Sequence, residues 1–272
     1  MTNLLTFPDQ LDRVKEGVLA QQETLTEVAE IYAEAIANGG LVHVYANGHS
    51  RLAVEEMVIR MGALTGFHPI LASGLVTFTD VIGPDGIRVA QTMEKIEGLG
   101  GKLLDEIDFG PHDVLIVITA TGTTAAAVDI ALAFNGRYPH LPLIGLTSLI
   151  QARDAKPKHS SGKNLYHVLE EAERGYLLDN CMPMGDVSVT VNGEHETYNI
   201  CPLSSIGALT IVQSMNELTI RALDRRGVKH HVLQNMHLAN TQETYDAWVR
   251  DQRKRYALSI NNPNRVEPIM KE

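Results

Sequence analysis

Cysteine is nearly absent: Cys181 and Cys201 are the two in 272 residues. Two thiols are too few for a disulfide framework and lack metal spacing with each other, so both are expected reduced in a cytoplasmic protein. Aromatic residues make up only 5%, so the core must rest on Ala, Val, Leu and Ile. There is no basic tract. Lys and Arg number 23 against 33 Asp and Glu, a net charge of −10, which argues against a nucleic-acid partner. No apolar run approaches the ~20 residues that span a bilayer, so no membrane partner is expected. The opening MTNLLTFPDQ lacks the basic region and apolar core of a secretory leader. Neither GxGxxG nor GxxxxGKS/T occurs, so no nucleotide or redox cofactor is implied. No HxH or HxxxH pair falls on an expected helix or strand. His230, His231 and His237 would hold a metal only if another ligand folded in, and none is expected.

What is present is ordinary globular material, 44% hydrophobic and 21% charged. No repeat, low-complexity tract or linker divides the chain, so one domain over 1–272 is expected: an N-terminal helix to residue 40, a core over 41–227, and a C-terminal helix and tail over 228–272. Residues 8–38 read as one long helix stopped by Gly39-Gly40. LVHVY at 41–45 is a strand, the turn 46–50 follows, and 51–64 reads as a helix. HPILAS at 68–73 is a short strand, 74–90 a loop and 92–107 an interrupted helix. LPLIGLTS at 141–148 and residues 176–180 add strands, with a polar loop at 151–164 between them. Alternation around Asn192-Gly193 over 187–200 signals a hairpin. Residues 204–226 and 241–256 are helices, and the tail beyond is expected to be mobile or to lie on a neighbouring subunit.

The chain is organised around 113–134, DVLIVITATGTTAAAVDIALAF. Its apolar run at 114–118 suits a strand buried on both faces of a parallel sheet. The run ends in Thr119, Ala120, Thr121, Gly122, Thr123 and Thr124, and an Ala- and Leu-rich helix follows. Strand, hydroxyl-rich turn and helix together make an anion site: helix-start N–H groups and the dipole favour negative charge, and threonine hydroxyls add donors. Alternating strands and helices predict a parallel sheet covered on both faces, a three-layer α/β/α sandwich. Ligands of such sheets sit beyond the carboxyl ends of the strands. Three hydroxyl-bearing turns converge there, at 47–50, 119–124 and 147–148.

These stretches resemble the sugar isomerase (SIS) domain. GGLVHVYANGHSRLAVEEM is similar to the first phosphosugar-binding turn of that family, and DVLIVITATGTTAAAVDIALA to its second, followed by the LTS strand end. Glu55-Glu56 after the GHS turn, MEKIEG, HSSGKNLY at 159–166, LDNCMPMGD at 178–186 and the terminal LDRRG are similar to a stand-alone subgroup of that family, over about residues 8–240. The resemblance implies a five-stranded parallel sheet between helices and a homodimer or homotetramer with sites shared between subunits. It also implies a sugar phosphate as ligand and aldose–ketose isomerisation as activity. One departure is that the second turn, usually serine-rich around its glycine, is Thr119-Ala120-Thr121-Gly122 here. Phosphate would sit on Ser50, Thr119, Thr121, Gly122, Thr123 and Thr124, with Asn47, Gly48 and Ser148 also expected in the substrate- and phosphate-binding set.

Such isomerisation needs a base beside the carbonyl and a group that opens the ring. Glu55 and Glu56 point about 100° apart on a helix, so one faces the pocket while the other faces solvent or pairs with Arg60 at i, i+4. The resemblance implies a glutamate base on this helix, with Glu56 the first choice and Glu55 the second, and His49 is expected as substrate contact or ring-opening acid. His159, Ser160 and Lys163 belong to a loop that could close over the site. Asp179-Asn180 and Gly185-Asp186 read as turn caps, and Cys181 as buried and inert. Two other activities suit the same fold: a phosphosugar lyase or deaminase, and a non-catalytic phosphosugar sensor.

Overall fold

In a computed structural model the chain is described over residues 5–76, 87–229, 232–238 and 241–269. Five strands form one parallel sheet: β1 (Val42–Ala46), β2 (Phe67–Ile70), β3 (Val114–Ile118), β4 (Leu143–Thr147) and β5 (Gly175–Asp179), in the order β2-β1-β3-β4-β5. The three central strands are buried throughout, as near-continuous Val/Ile/Leu runs dictate when both faces are covered. Alternate side chains feed two cores. Val44, Ile116, Ile144 and Leu178 point into one, and Tyr45, Leu115, Val117 and Leu143 into the other.

The helices are α1 (Asp9–Ala20), α2 (Gln22–Ala37), α3 (Arg51–Met57), α4 (Ser73–Val76), α5 (Ile87–Met93), α6 (Leu99–Leu104), α7 (Ala125–Arg137), α8 (Leu149–Asp154), α9 (Leu165–Glu171), α10 (Ser204–Arg225) and α11 (Gln242–Tyr256). Helices α1, α2, α3 and α10 cover the first face, while α6, α7 and α9 cover the second. This is the α/β/α sandwich that the alternation predicts. None of the described helices is long and apolar enough to cross a membrane.

Four expected boundaries move, each for a tertiary reason. The N-terminal helix is two helices, broken at Gln21 (φ −104°, ψ 21°). There the Gln21 amide donates to Asp179 O (2.8 Å) and accepts from Asp179 N (2.9 Å), giving the edge strand β5 the partners its outer side lacks. The helix expected over 51–64 ends at Met57. Ile59 and Gly62 take positive φ, and the chain pairs with a distant segment through Gly62 N to Leu233 O (2.6 Å) and Leu233 N to Ala63 O (2.9 Å). The helix expected over 92–107 is split after α5, with Gly98 left-handed at φ 87°. Gly100 is in close contact with α7: a Cβ there would lie 2.3 Å from Ile130 N, which explains why no larger residue stands at this crossing. The loop expected from 151 starts inside α8.

The C-terminal segment lies on its own chain. Gln252 accepts from Gly66 N (2.8 Å) and donates to Phe67 O (3.3 Å), Val266 N bonds Phe109 O (2.7 Å), and Ile269 N bonds Arg137 O (3.0 Å). Beneath it runs a buried polar chain in which Asp113 accepts from Leu41 N (2.8 Å) and Gly110 N (2.7 Å) and bonds His43 (3.1 Å), and His43 meets His68 (3.0 Å). Burial pushes His68 down to about 3, so this ring is neutral.

The expected hairpin forms, with β6 (Val189–Asn192) antiparallel to β7 (Thr197–Ile200). Asn192 pairs with Thr197, however, and the loop is the four residues 193–196, closed by Gly193 N to Glu196 O (3.0 Å), not a two-residue Asn-Gly turn.

Candidate active site

The sheet order reverses between β1 and β3, and ligands of open parallel sheets bind at such a switch point. The turns leaving these strands, 47–50 and 119–124, form the floor of a cleft of about 520 Å³. Asn47, Gly48, His49, Ser50, Thr119, Thr121, Thr123 and Thr124 all line it. So do Ser204 and Ser205 at the start of α10, Gln91 and Glu94 at the end of α5, and Lys158. Two long helices therefore aim their N-termini at the cleft, α7 after Thr124 and α10 after Leu203.

The hydroxyl-rich turn is held from behind. Asn180 donates to Ala120 O (3.1 Å), Ser148 N to Ala120 O (3.2 Å) and Leu165 N to Gly122 O (2.8 Å). Gly122 takes φ 69°, and a Cβ on it would lie 2.7 Å from Ala152 Cβ and 3.0 Å from Thr147 Oγ1. Its missing side chain thus admits α8 against the back of the turn. At the front the Thr121 and Thr123 hydroxyls are 2.9 Å apart. The buried Thr124 Oγ1 has no hydrogen-bond partner among the described residues.

Two predicted contacts, Gly122 and Ser148, do not line the cleft. Ser148 is fully buried; its Oγ donates to Met182 O (3.1 Å) and accepts Gln151 N (3.3 Å), capping α8. Ser50 lines the cleft yet caps nothing, because it already has helical dihedrals. Asp179 and Asp186 are caps as expected. Asp179 accepts Leu149 N and Cys181 N, and Asp186 holds Leu203 N (2.8 Å), Ser204 N (2.9 Å) and Ser204 Oγ (2.7 Å) at the start of α10. Cys181 is buried, and burial pushes its thiol up to about 11, which leaves little thiolate at neutral pH.

Neither Glu55 nor Glu56 lines the cleft of its own chain. Glu55 pairs with Arg51 (3.2 Å), while Glu56 pairs with Arg60 (2.6 Å) and accepts from Gln213 on α10 (2.9 Å). Two carboxylates do line it, Asp186, which is committed to the start of α10, and Glu94, within the MEKIEG stretch. Glu94 is half-buried, its Oε2 accepts from Asn47 Nδ2 (2.6 Å), and its backbone carbonyl accepts from Ala126 N of α7 (3.0 Å). Burial raises its pKa above the usual carboxylate range, against smaller lowering effects of Lys95, the Asn47 bond and Lys158. A carboxyl poised upward in a cleft has the character of a general base or acid. Glu94 stands one residue past the end of α5 and four before Gly98, the N-cap of α6.

The loop expected to close over the site is tied to α7 and to Glu97 beside it. His159 is buried, its Nδ1 accepts Ser161 N (3.0 Å), and its Nε2 therefore donates to Asp129 on α7 (2.8 Å). Ser160 N donates to Glu97 (2.8 Å). Lys163 pairs with Glu171, away from the cleft. His237 is exposed, and His230 and His231 lie outside the described residues. Among the described residues no group of three His, Cys, Asp or Glu is placed to hold a metal ion.

The model of the SIS domain family matches residues 6–148. A UPF0309 protein of Halalkalibacterium halodurans is 28% identical over 225 residues, covering 82% of this chain and 84% of that protein. One from Streptomyces griseus is 26% identical over 227 residues, covering 83% of each. Among solved structures, phosphoheptose isomerase from Neisseria gonorrhoeae superposes with a TM-score of 0.50 at 12% identity, covering 79% of this chain and 95% of that chain. At such identity the likeness speaks for the fold alone.

Proposed function

The chain belongs to the SIS domain family, and from that premise we propose that its cleft binds a sugar phosphate and isomerises it between aldose and ketose with Glu94 as the base. The observation that carries this reading is that an anion-binding turn and a half-buried carboxylate of raised pKa share one cleft. Thr121, Thr123, Thr124 and Ser50 supply hydroxyls to the phosphate beside the α7 N-terminus. The unpartnered Thr124 hydroxyl supports that role, since a buried donor without a partner is costly unless a ligand meets it. His49 is the contact for sugar hydroxyls or ring opening. Asn47 steers Glu94 through its amide. Thermal-shift titration of hexose, hexosamine, pentose and heptulose phosphates, each beside its free sugar, tests the binding half. A ligand of the native state raises apparent stability with concentration, so one phosphosugar is expected to stabilise while its free sugar does not. Stabilisation by no phosphosugar would end the reading.

Asn47→Ala is expected to move the acidic limb of the kcat/KM–pH profile to higher pH. A hydrogen bond to a carboxylate favours the ionised form, so its loss raises the Glu94 pKa further, and the active, deprotonated base appears later as pH rises. An acidic limb that stays in place would detach Asn47 from the base.

The reading includes a homo-oligomer. The hairpin pairs Val189 with Ile200 and Val191 with Tyr198 on one face, and Val191, Tyr198 and Ile200 are each 44% exposed. A lone two-stranded hairpin is marginal in water, so a second copy covering that face accounts for its survival. Sedimentation is expected to give a dimer or larger for the wild type and a smaller species for Val191→Ser with Tyr198→Ser; an unchanged assembly would remove the hairpin from the interface.

A further inference from the structure

Base catalysis next to a carbonyl leaves a second demand, a positive group where negative charge grows on the carbonyl oxygen. We propose that Lys158 is that group, and that the Asp129–His159 clasp is what positions it; the proposal rests on the cleft being a sugar-phosphate site. Lys158 is the one lysine among the described residues lining the cleft. It has no hydrogen-bond or ion-pair partner among them, whereas Lys102 and Lys163 are paired with Asp105 and Glu171. It shares the cleft with Glu94, whose ionised form its charge favours as the least of several influences. Its backbone is fixed, with Pro157 before it and buried His159 after it. Asp129 grips that histidine with one oxygen (2.8 Å) and Gly98 N, four residues after Glu94, with the other. One carboxylate on α7 thereby sets the spacing between the base and the lysine.

In the step this geometry serves, Glu94 takes the proton from the carbon beside the carbonyl. The C–H electron pair becomes the C=C bond of an enediolate, and the carbonyl π pair moves onto oxygen next to the Lys158 ammonium. The proton returns from Glu94 to the former carbonyl carbon. The hydroxyl proton passes from the second oxygen to the first, so no co-reactant is needed. Lys158 supplies charge and stays protonated.

Phosphorylated aldonic acids carry a carboxylate where the enediolate charge would form, and phosphorylated alditols carry none. The test is calorimetric titration of inorganic phosphate and of two such pairs, 6-phosphogluconate with sorbitol 6-phosphate and 5-phosphoribonate with ribitol 5-phosphate. The wild type is expected to bind phosphate and to prefer the acid of at least one pair by about tenfold or more, the scale of one charge-assisted hydrogen bond. Lys158→Met is expected to lose that preference while holding phosphate and alditol affinity within about threefold, and Lys158→Arg to keep part of it. His159→Gln is expected to lose part of the preference in the native background and nothing further in Lys158→Met, since it acts through the lysine. A preference that survives Lys158→Met, or an equal fall in phosphate affinity, overturns the proposal alone. Failure of the wild type to bind phosphate or either pair overturns the cleft's reading and the proposal together.

Discussion

Glu94→Gln is expected to lower turnover by about 10²–10⁴-fold, the range that a positioned base contributes, with sugar-phosphate affinity within about threefold of wild type. Glutamine keeps the size of the side chain and a carbonyl oxygen for the Asn47 amide, whose bond to Glu94 is 2.6 Å. The backbone bond from Ala126 N to Glu94 O does not depend on the side chain. The turn at 119–124 is therefore left as it is, and only proton abstraction is removed. The contrast is with the two glutamates that helix position favours. Glu56→Gln and Glu55→Gln each loosen an ion pair on α3, with Arg60 and Arg51, and such partly exposed pairs contribute about 0–1 kcal/mol. Both variants are expected to turn over within a few-fold of wild type. Steady-state kinetics on the three purified variants decides. Loss of turnover in Glu56→Gln with Glu94→Gln unaffected would move the base to α3 and require it to act on another cleft.

Gly122→Ala has the next largest effect, and on a different quantity. A left-handed L-residue costs about 1–2 kcal/mol, and Gly122 sits at φ 69°. The added methyl would also stand 2.7 Å from Ala152 Cβ, an overlap that forces α8 or the turn to shift; overpacking of this kind costs about 1–3 kcal/mol. Urea unfolding is expected to show a loss of about 2–5 kcal/mol. The turn gives way toward the cleft, since its back is held at Ala120 and Gly122 by Asn180, Ser148 and Leu165. Phosphate affinity should then fall by about tenfold or more even at temperatures where the variant is folded. Full stability with full affinity would mean that the turn tolerates another shape, and the cradle assigned to it would not stand.

The parts that were legible in the sequence share one property: neighbouring residues decide them. The run at 114–118 is a strand because nothing but burial on both faces suits five apolar residues in a row, and LIGLT at 143–147 is buried throughout in the same way. The Thr-rich turn after β3 and the GHS turn after β1 follow from local chemistry, and both line the cleft. The alternation over 187–200 gave the hairpin, though its loop is 193–196 and not the Asn-Gly pair itself. What was not legible depends on residues far apart in sequence. Gln21 breaks the first helix because Asp179, 158 positions away, offers backbone partners. Helix α3 stops at Met57 because the chain at 62–63 pairs with Leu233. Glu94 faces the cleft where Asn47, on another strand's turn, meets its carboxylate and Ala126 of α7 meets its backbone carbonyl. The family resemblance points to a glutamate on the helix after the first turn, hence to Glu56 and Glu55, and neither lines the cleft. Ser148 stands in a turn as hydroxyl-rich as the others, yet its hydroxyl is committed to Met182 O, a partner that only the packed chain reveals.

The most direct test of the account is hydrogen exchange during incubation with single phosphosugars in D₂O, followed by proton NMR of the carbon beside the carbonyl. A base that removes this proton shares it with solvent, so exchange reports the chemistry even when the equilibrium between aldose and ketose hides turnover. The account predicts that one phosphosugar that stabilises the protein loses this proton signal with wild type and keeps it with Glu94→Gln. A phosphosugar that binds and keeps its proton with wild type would leave a binding protein without the isomerase chemistry, and exchange undiminished in Glu94→Gln would place the base elsewhere.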